Sequence, residues 1–211
     1  VLGPLYNKIR KSGFKVGGQF EEAQYLEGII NSSYEVDNIE NHPDHKTYRV
    51  FIQLDSNMSN IYAISGKEGH PLVIPPSWRS SSPFSTKGVG QPESVFLTFA
   101  PELMYDSYIT IGENKPSTTP GLSDLLENWT NDPNNGVFRM DSRFGGAFFL
   151  INPNNGPTPD ADGNILIAQL TIPNTTTNRT FKGFLQGQFK VEGDERPGSW
   201  QKNFSIELPL P

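Results

Sequence analysis

Short apolar runs separated by dense turn residues are the feature that most limits what this chain can fold into. The 211 residues include 20 glycines and 18 prolines, and asparagine, serine and threonine fill many of the gaps between apolar runs. Proline cannot donate a backbone hydrogen bond, and glycine favours tight turns. Many short runs between such residues are typical of an antiparallel all-β protein rather than a parallel α/β one.

The apolar runs themselves predict strands. In residues 48–54 every second side chain is apolar or aromatic, as in a strand with one buried face. The run 146–151 is predicted to form a hairpin with 165–172, which forms a second hairpin with 181–191. We therefore expect an antiparallel β-sandwich or jelly-roll-like fold of about nine or ten strands. Further strands are predicted at 61–65, 72–74, 95–99, 106–112 and 204–208. At most one short helix is predicted, at 122–129.

Composition supports a single packed domain. Hydrophobic residues make up 35% of the chain, and 14 phenylalanines supply much of the area that a core can bury. Residues 1–45 mix glycine, charge and isolated apolar residues without a sustained period. We therefore predict an N-terminal arm or peripheral layer over residues 1–45 and one β-sandwich domain over 46–211, with the arm joining copies of the chain by strand addition. The alternative is that the arm is a peripheral strand of its own chain.

Charge and hydropathy exclude some partners. The formal net charge is −6, which opposes nucleic-acid binding because that depends on clustered Lys and Arg. No apolar run is long enough to predict membrane insertion, and the absence of cysteine excludes disulfides and thiolate chemistry. The chain begins at Val1, which fits either a removed signal peptide, our preferred interpretation, or a truncated sequence.

Four blocks of this β-rich region resemble a poorly characterised module of secreted and surface proteins of marine algae and bacteria. They are 48–54 with 61–66, the Pro-Phe loop at Phe84, 106–112, and 145–150 with 162–171. The resemblance spans about residues 48–190. It implies an extracellular β module without known catalysis, and it carries over no functional residues.

Sequons for N-glycosylation are the commonest functional motif. Six Asn-x-Ser/Thr sites occur, more than composition alone predicts, at Asn31, Asn57, Asn128, Asn174, Asn178 and Asn203. An N-glycan needs an exposed position in a secreted protein. The alternative is that a polar β surface is rich in these residue types.

One acidic turn is a candidate metal site. Asp160, Asp162 and Asn164 place oxygen side chains at alternate positions around Gly163, as in half of a calcium loop. They offer about three of the six to eight oxygens that calcium takes. A plain hairpin turn explains the same sequence and is preferred, so no cofactor is required, although calcium stays possible.

No residue set predicts catalysis. The chain lacks a nucleophile elbow and a phosphate loop, and its many carboxylates nominate no glycosidase pair. Three tryptophans beside predicted loops, Trp78, Trp129 and Trp200, are candidates for stacking on sugar rings or for pinning loops. The sequence therefore favours a secreted, non-enzymatic structural protein that self-assembles into a surface filament, matrix or coat. A carbohydrate-binding module that recognises an extracellular polysaccharide is the alternative, with a glycoside hydrolase as the remaining possibility.

Overall fold

The computed structural model describes residues 29–38, 43–54, 58–86, 88, 90–112, 120–122, 137–189 and 200–211. It gives the backbone alone for 29–33, 35–38, 120–122, 155, 189 and 200–206.

These residues form eleven strands and three short 3₁₀ helices. The strands are β1 (Ile29–Asn38), β2 (His45–Leu54), β3 (Met58–Gly66), β4 (Leu72–Ile74), β5 (Tyr108–Ile109), β6 (Pro120–Leu122), β7 (Phe138–Met140), β8 (Gly146–Leu150), β9 (Asn164–Pro173), β10 (Thr180–Phe189) and β11 (Trp200–Pro209). The 3₁₀ helices are Ser94–Thr98, Pro101–Tyr105 and Pro153–Asn155. None of the described segments is a helix long and apolar enough to span a membrane.

The strands make two antiparallel sheets. The first sheet has the order β1-β2-β9-β5. In the second sheet β10 pairs with β3, with β4 and, along its whole length, with β11. β8 and then β6 continue this sheet beyond β3, and β7 continues it beyond β4. Within the described residues every pairing between strands is antiparallel. The predicted all-β, sandwich-like antiparallel fold is confirmed.

The core lies between the sheets. In β2 alternate side chains, from Tyr48 to Leu54, are buried, and they pack with Ile64, Phe148 and Leu185 of the second sheet in one cluster. Each buried aliphatic or aromatic side chain contributes about 1.5 to 3 kcal/mol. The alternation read from the sequence therefore identifies the inner face of the first sheet correctly.

Strand β9 is buried on both faces. Its residues from Ile165 to Ile172 are all buried, although an antiparallel strand commonly has one face in water. The outer face contacts the described residues of the segment 75–107, which we name the strap. One bridge pairs Trp78 of the strap with Thr171 of β9, whose carbonyl oxygen lies 2.6 Å from the Trp78 nitrogen.

Two predicted hairpins are wrong. β8 belongs to the second sheet and β9 to the first, and β10 belongs again to the second. The chain therefore crosses between sheets at each connection. The cause is visible in β9, where a continuous apolar run fits a central strand between β2 and β5 that is buried on both sides.

Three predicted elements differ from the structure. Residues 95–99 were expected as a strand, but Ser94–Thr98 is a 3₁₀ helix that buries none of its residues. The strand predicted at 106–112 is reduced to Tyr108–Ile109. Leu122 ends β6, and the rest of the helix predicted at 122–129 lies outside the described residues.

The region predicted as an N-terminal arm includes a strand of the chain's own sheet. β1 pairs along its length with β2, with Tyr34 opposite Val50 and Val36 opposite Tyr48. The Tyr34 and Tyr48 rings meet edge to face, 6.0 Å apart. Residues 1–28 of the predicted arm lie outside the described residues, so a joining role for them stays a prediction.

Candidate functional site

Four large apolar side chains stand exposed on one stretch of the strap. They are Phe84, Val95, Phe99 and Met104, exposed by 41%, 55%, 72% and 53%, and we name them the apolar patch. The Phe84 ring stacks on half-buried Phe96 at 4.9 Å between centroids and lies 6.5 Å from Phe99. Clustered exposed apolar groups mark interaction surfaces far more often than single ones do.

Two successive 3₁₀ helices give the patch its shape. In Ser94–Thr98 no residue is fully buried, and Phe96 and Leu97 are half-buried. Pro101 starts the second helix, where only Leu103 is buried. The nitrogen of Ala100 donates to the Phe96 oxygen at 2.9 Å and the nitrogen of Leu103 to the Ala100 oxygen at 3.1 Å. Because a 3₁₀ helix repeats every three residues, it cannot bury the alternating apolar side chains that a strand would bury.

Polar side chains on the outer face of β9 fix the base of the patch. Gln169 donates through Nε2 to the Met104 and Asp106 oxygens, at 2.9 and 3.0 Å. Thr171 donates through Oγ1 to the Tyr105 oxygen at 2.6 Å. Both β9 side chains are buried, where such bonds are shielded from water. The second 3₁₀ helix is therefore held rigidly on the sheet.

A buried carboxylate holds the loop that carries Phe84. Asp106 is fully buried and accepts hydrogen bonds from the Ser80 nitrogen at 2.8 Å and from the Ser85 hydroxyl at 2.6 Å. Burial raises the pKa of the Asp106 carboxyl, while the bonds from Ser85 and Ser80 and the positive charge of Arg79 oppose that rise. The contacts tie both ends of the strap to one point.

These contacts bear on the carboxylates considered for glycosidase chemistry. Both oxygens of Asp106 already accept hydrogen bonds from the strap, and Asp141 pairs with Arg139 at 2.7 Å. Glu102 is exposed and lies 3.5 Å from the Ser80 hydroxyl. The geometry assigns a structural task to Asp106, and the described carboxylates named here nominate no acid and base pair.

The candidate calcium residues form a tight turn. Asp160 accepts through Oδ1 from the nitrogens of Asp162 and Asn164, at 2.9 and 2.8 Å. The backbone hydrogen bond from Asn164 is the main cause that lowers the pKa of the Asp160 carboxyl. Gly163 has a φ of +85°, a value that favours glycine. The carboxylate is thus engaged by the turn itself.

Metal-binding groups do not cluster in the described parts of the chain. No set of three or more His, Asp or Glu side chains is placed there so that it could hold an ion. Asp44 contacts His45 through Oδ1 and Nδ1 at 3.0 Å, and His70 packs on the Phe184 ring at 5.1 Å.

The sequons occupy two kinds of position. Asn174 and Asn178 are exposed in the β9–β10 connection, where Asn174 donates through Nδ2 to the Pro43 oxygen at 2.8 Å. Asn31 lies in β1 and Asn203 in β11. Asn57 and Asn128 lie outside the described residues.

Of the three tryptophans, the structure describes the side chain of Trp78 alone. Trp78 is half-buried and fixed by its backbone to β9, and Trp200 starts β11 opposite Phe189. Trp129 lies outside the described residues. The exposed rings of the strap are instead those of Phe84, predicted in a loop, and Phe99, predicted in a strand. Pro92 and Pro101 flank residues 93–100, and these two prolines were the signal in the sequence against a strand at 95–99.

Comparisons of the chain with protein-family models, with curated proteins and with solved structures give no match. The function is therefore argued from the geometry and from the sequence.

Proposed function

We propose that this domain is a non-enzymatic structural protein of the extracellular space that associates with copies of itself through the apolar patch. One observation supports self-association above the others. Four large apolar side chains of the strap, led by Phe99 and Val95, are exposed, and the Phe84 ring lies 4.9 Å from the Phe96 ring and 6.5 Å from the Phe99 ring. Burying them between molecules would remove their apolar area from water at about 25 cal/mol per Å².

The rigidity of the patch strengthens this proposal. Binding costs free energy when side chains and loops must be ordered. Here five hydrogen bonds of 3.0 Å or less already hold the segment. Gln169 donates two of them, Thr171 donates one, and Asp106 accepts two. A surface ordered in advance avoids that cost, as a repeating contact between subunits requires.

The extracellular location is supported by the sequence. Six sequons fit a glycosylated surface protein, as does the resemblance to secreted and surface modules.

The test is a substitution in the patch with a matched control outside it. Phe99→Ser should weaken self-association by about tenfold or more, because a central aromatic contributes about 2 kcal/mol at an interface. Phe144→Ser is the control, since Phe144 is 92% exposed and lies outside the strap. Sedimentation velocity over a concentration series measures both.

Wild type and Phe144→Ser should gain mass over the same concentration range, while Phe99→Ser should need a concentration about tenfold or more higher to do so. A wild type that is monomeric at every concentration contradicts the proposal. So does an equal loss of association in both variants.

A carbohydrate-binding module is the second candidate, favoured by the exposed Phe84 and Phe99 rings. Aromatic faces stack on sugar rings, and the hydroxyls of Ser80 and Ser82 lie on the same loop. Calorimetric titration with soluble polysaccharides tests it. Saccharide binding that is lost in Phe84→Ala, without self-association, would replace the first proposal.

A further inference from the structure

Within the part of the chain that the structure describes, two long strands lie at open edges of the sheets. Among the described residues, β1 pairs with β2 alone, and β11 pairs with β10 alone. Each has ten residues. An open edge of that length offers a row of backbone groups to a strand of another molecule.

The remaining edges are short. β5 has two residues, and β6 and β7 have three each. Shortness is one of the ways in which proteins protect a sheet edge from pairing. β1 and β11 lack this protection, and the two strands approach each other on one side of the sandwich.

The two long edge strands are also the described strands in which a sequon begins. Asn31-Ser32-Ser33 lies in β1 and Asn203-Phe204-Ser205 in β11. Interior strands of the described residues, including the ten-residue β2, β9 and β10, carry no sequon Asn.

Strand register places position 31 on the outer side of the first sheet. Asn31 is opposite Gln53, and Gln53 alternates with the buried residues Ile52 and Leu54. Residues directly opposite each other in an antiparallel pair share a face.

The same reasoning applies to position 203. Asn203 is opposite Gln186, which alternates with Leu185 of the core cluster. Asn203 therefore also lies on the face directed away from the core.

We propose that N-glycans at Asn31 and Asn203 shield the two long open edges and prevent strand pairing between molecules. This inference rests on the extracellular location in the proposed function. In the glycosylation step the Asn amide nitrogen bonds to C1 of an oligosaccharide carried on a lipid pyrophosphate. The bond from C1 to the pyrophosphate breaks, and the amide proton leaves with the lipid pyrophosphate. A branched glycan beside an edge excludes an incoming strand, as charged gatekeepers do elsewhere.

Glycan shielding of the two edges also agrees with the proposed assembly through the apolar patch. Self-association of a structural protein must be confined to one surface, because two open edges would add uncontrolled contacts. Glycans on β1 and β11 would leave the strap accessible and direct assembly to it.

The test uses the 211-residue chain secreted from a eukaryotic host, with Phe99→Ser in every variant. That change weakens patch-mediated association by about tenfold or more, and all variants are compared at a concentration at which the Phe99→Ser parent is monomeric, so the result does not depend on whether the proposed assembly exists. Ser33→Ala with Ser205→Ala removes both edge sequons and keeps each Asn. Thr176→Ala with Thr180→Ala removes the two loop sequons as the matched control.

We expect mass spectrometry to find glycans on Asn31 and Asn203. The edge variant should lose its monomer peak and form species that scatter light and bind thioflavin T, while the control stays monomeric. Made without glycans in bacteria, the parent should aggregate as the edge variant does. Unmodified Asn31 and Asn203 overturn the proposal, as does an edge variant that aggregates no more than the control.

Discussion

The Asp106 carboxylate accepts a hydrogen bond from the Ser85 hydroxyl at 2.6 Å, which ties the end of the strap to the loop that presents Phe84. Asp106 is fully buried, and Arg79 beside it is buried as well. A buried carboxylate whose desolvation cost is only partly offset by hydrogen bonds and nearby positive charge destabilises the fold when it is charged. It still orients the groups that donate to it. Its charge should therefore be visible in the pH dependence of stability.

We predict that wild type loses stability relative to Asp106→Asn as pH rises above about 4. Burial raises the pKa of Asp106 above its ordinary value of 3.8, so the native state keeps this proton to higher pH than the unfolded state. The free energy of unfolding then falls as pH rises through the folded pKa. Urea unfolding of both proteins between about pH 4 and 7 measures the difference, and two parallel curves would contradict the prediction.

A second prediction concerns the support of the strap by β9. Gln169→Leu should lower the free energy of unfolding by about 2 kcal/mol, because it leaves a buried carbonyl oxygen, that of Asp106, and a partly buried one, that of Met104, without their donor. Gln53→Leu is the matched control. Gln53 makes one exposed bond, to the Asp162 oxygen at 2.7 Å, and should cost less than about 1 kcal/mol.

Urea denaturation measures both changes, and limited proteolysis reports whether the strap loosens in Gln169→Leu. Equal losses in the two variants would show that the bonds of Gln169 do not hold the strap.

Local patterns in the sequence predicted strands better than they predicted pairing. The alternation over residues 48–54 identified most of β2 and its buried face. The partners of β8 and β9 could not be read in the same way, since consecutive apolar runs fit either a hairpin or two sheets. Pairing depends on contacts between distant residues, such as Arg49 with Gln169.

In the candidate site, too, the sequence predicted local structure but not the contacts between distant residues. The turn at Asp160 was predicted because its residues act locally on their own backbone. The apolar patch was missed because Val95 and Phe99 keep strand-like spacing, and only the contacts of Gln169 and Thr171 show that the segment lies outside the sheets.

A third prediction tests the corner after β3. Gly66→Ala should destabilise the fold by about 3 kcal/mol or more, because a methyl group there would lie 2.2 Å from the Leu72 nitrogen and 2.8 Å from the Met140 oxygen. Gly69→Ala is the control, since that position is open and only its φ of +82° disfavours alanine, at about 1 kcal/mol. Thermal unfolding followed by circular dichroism ranks the two, and the reverse order would contradict the packing at Gly66.

The last prediction is that calcium neither binds at the Asp160 turn nor stabilises the fold. The nitrogens of Asp162 and Asn164 already close the turn by donating to Asp160 Oδ1, and among the described residues no group of three or more His, Asp or Glu side chains is placed to hold an ion. A ligand stabilises a fold only in proportion to RT ln(1 + [L]/Kd). The melting temperature should therefore change by less than about 1 °C with millimolar calcium or with a chelator.

The turn still contributes to stability without a metal. Asp160→Ala should lower the melting temperature in chelator, because it removes the acceptor of both bonds, whereas Asp162→Ala should not, since Asp162 contributes only its backbone to this turn. The pKa of Asp160 is lowered by its bond from Asn164. Its contribution is therefore present above its ordinary pKa and is lost as pH falls through the folded pKa. A calcium-dependent rise in melting temperature that both substitutions abolish would instead establish a metal site.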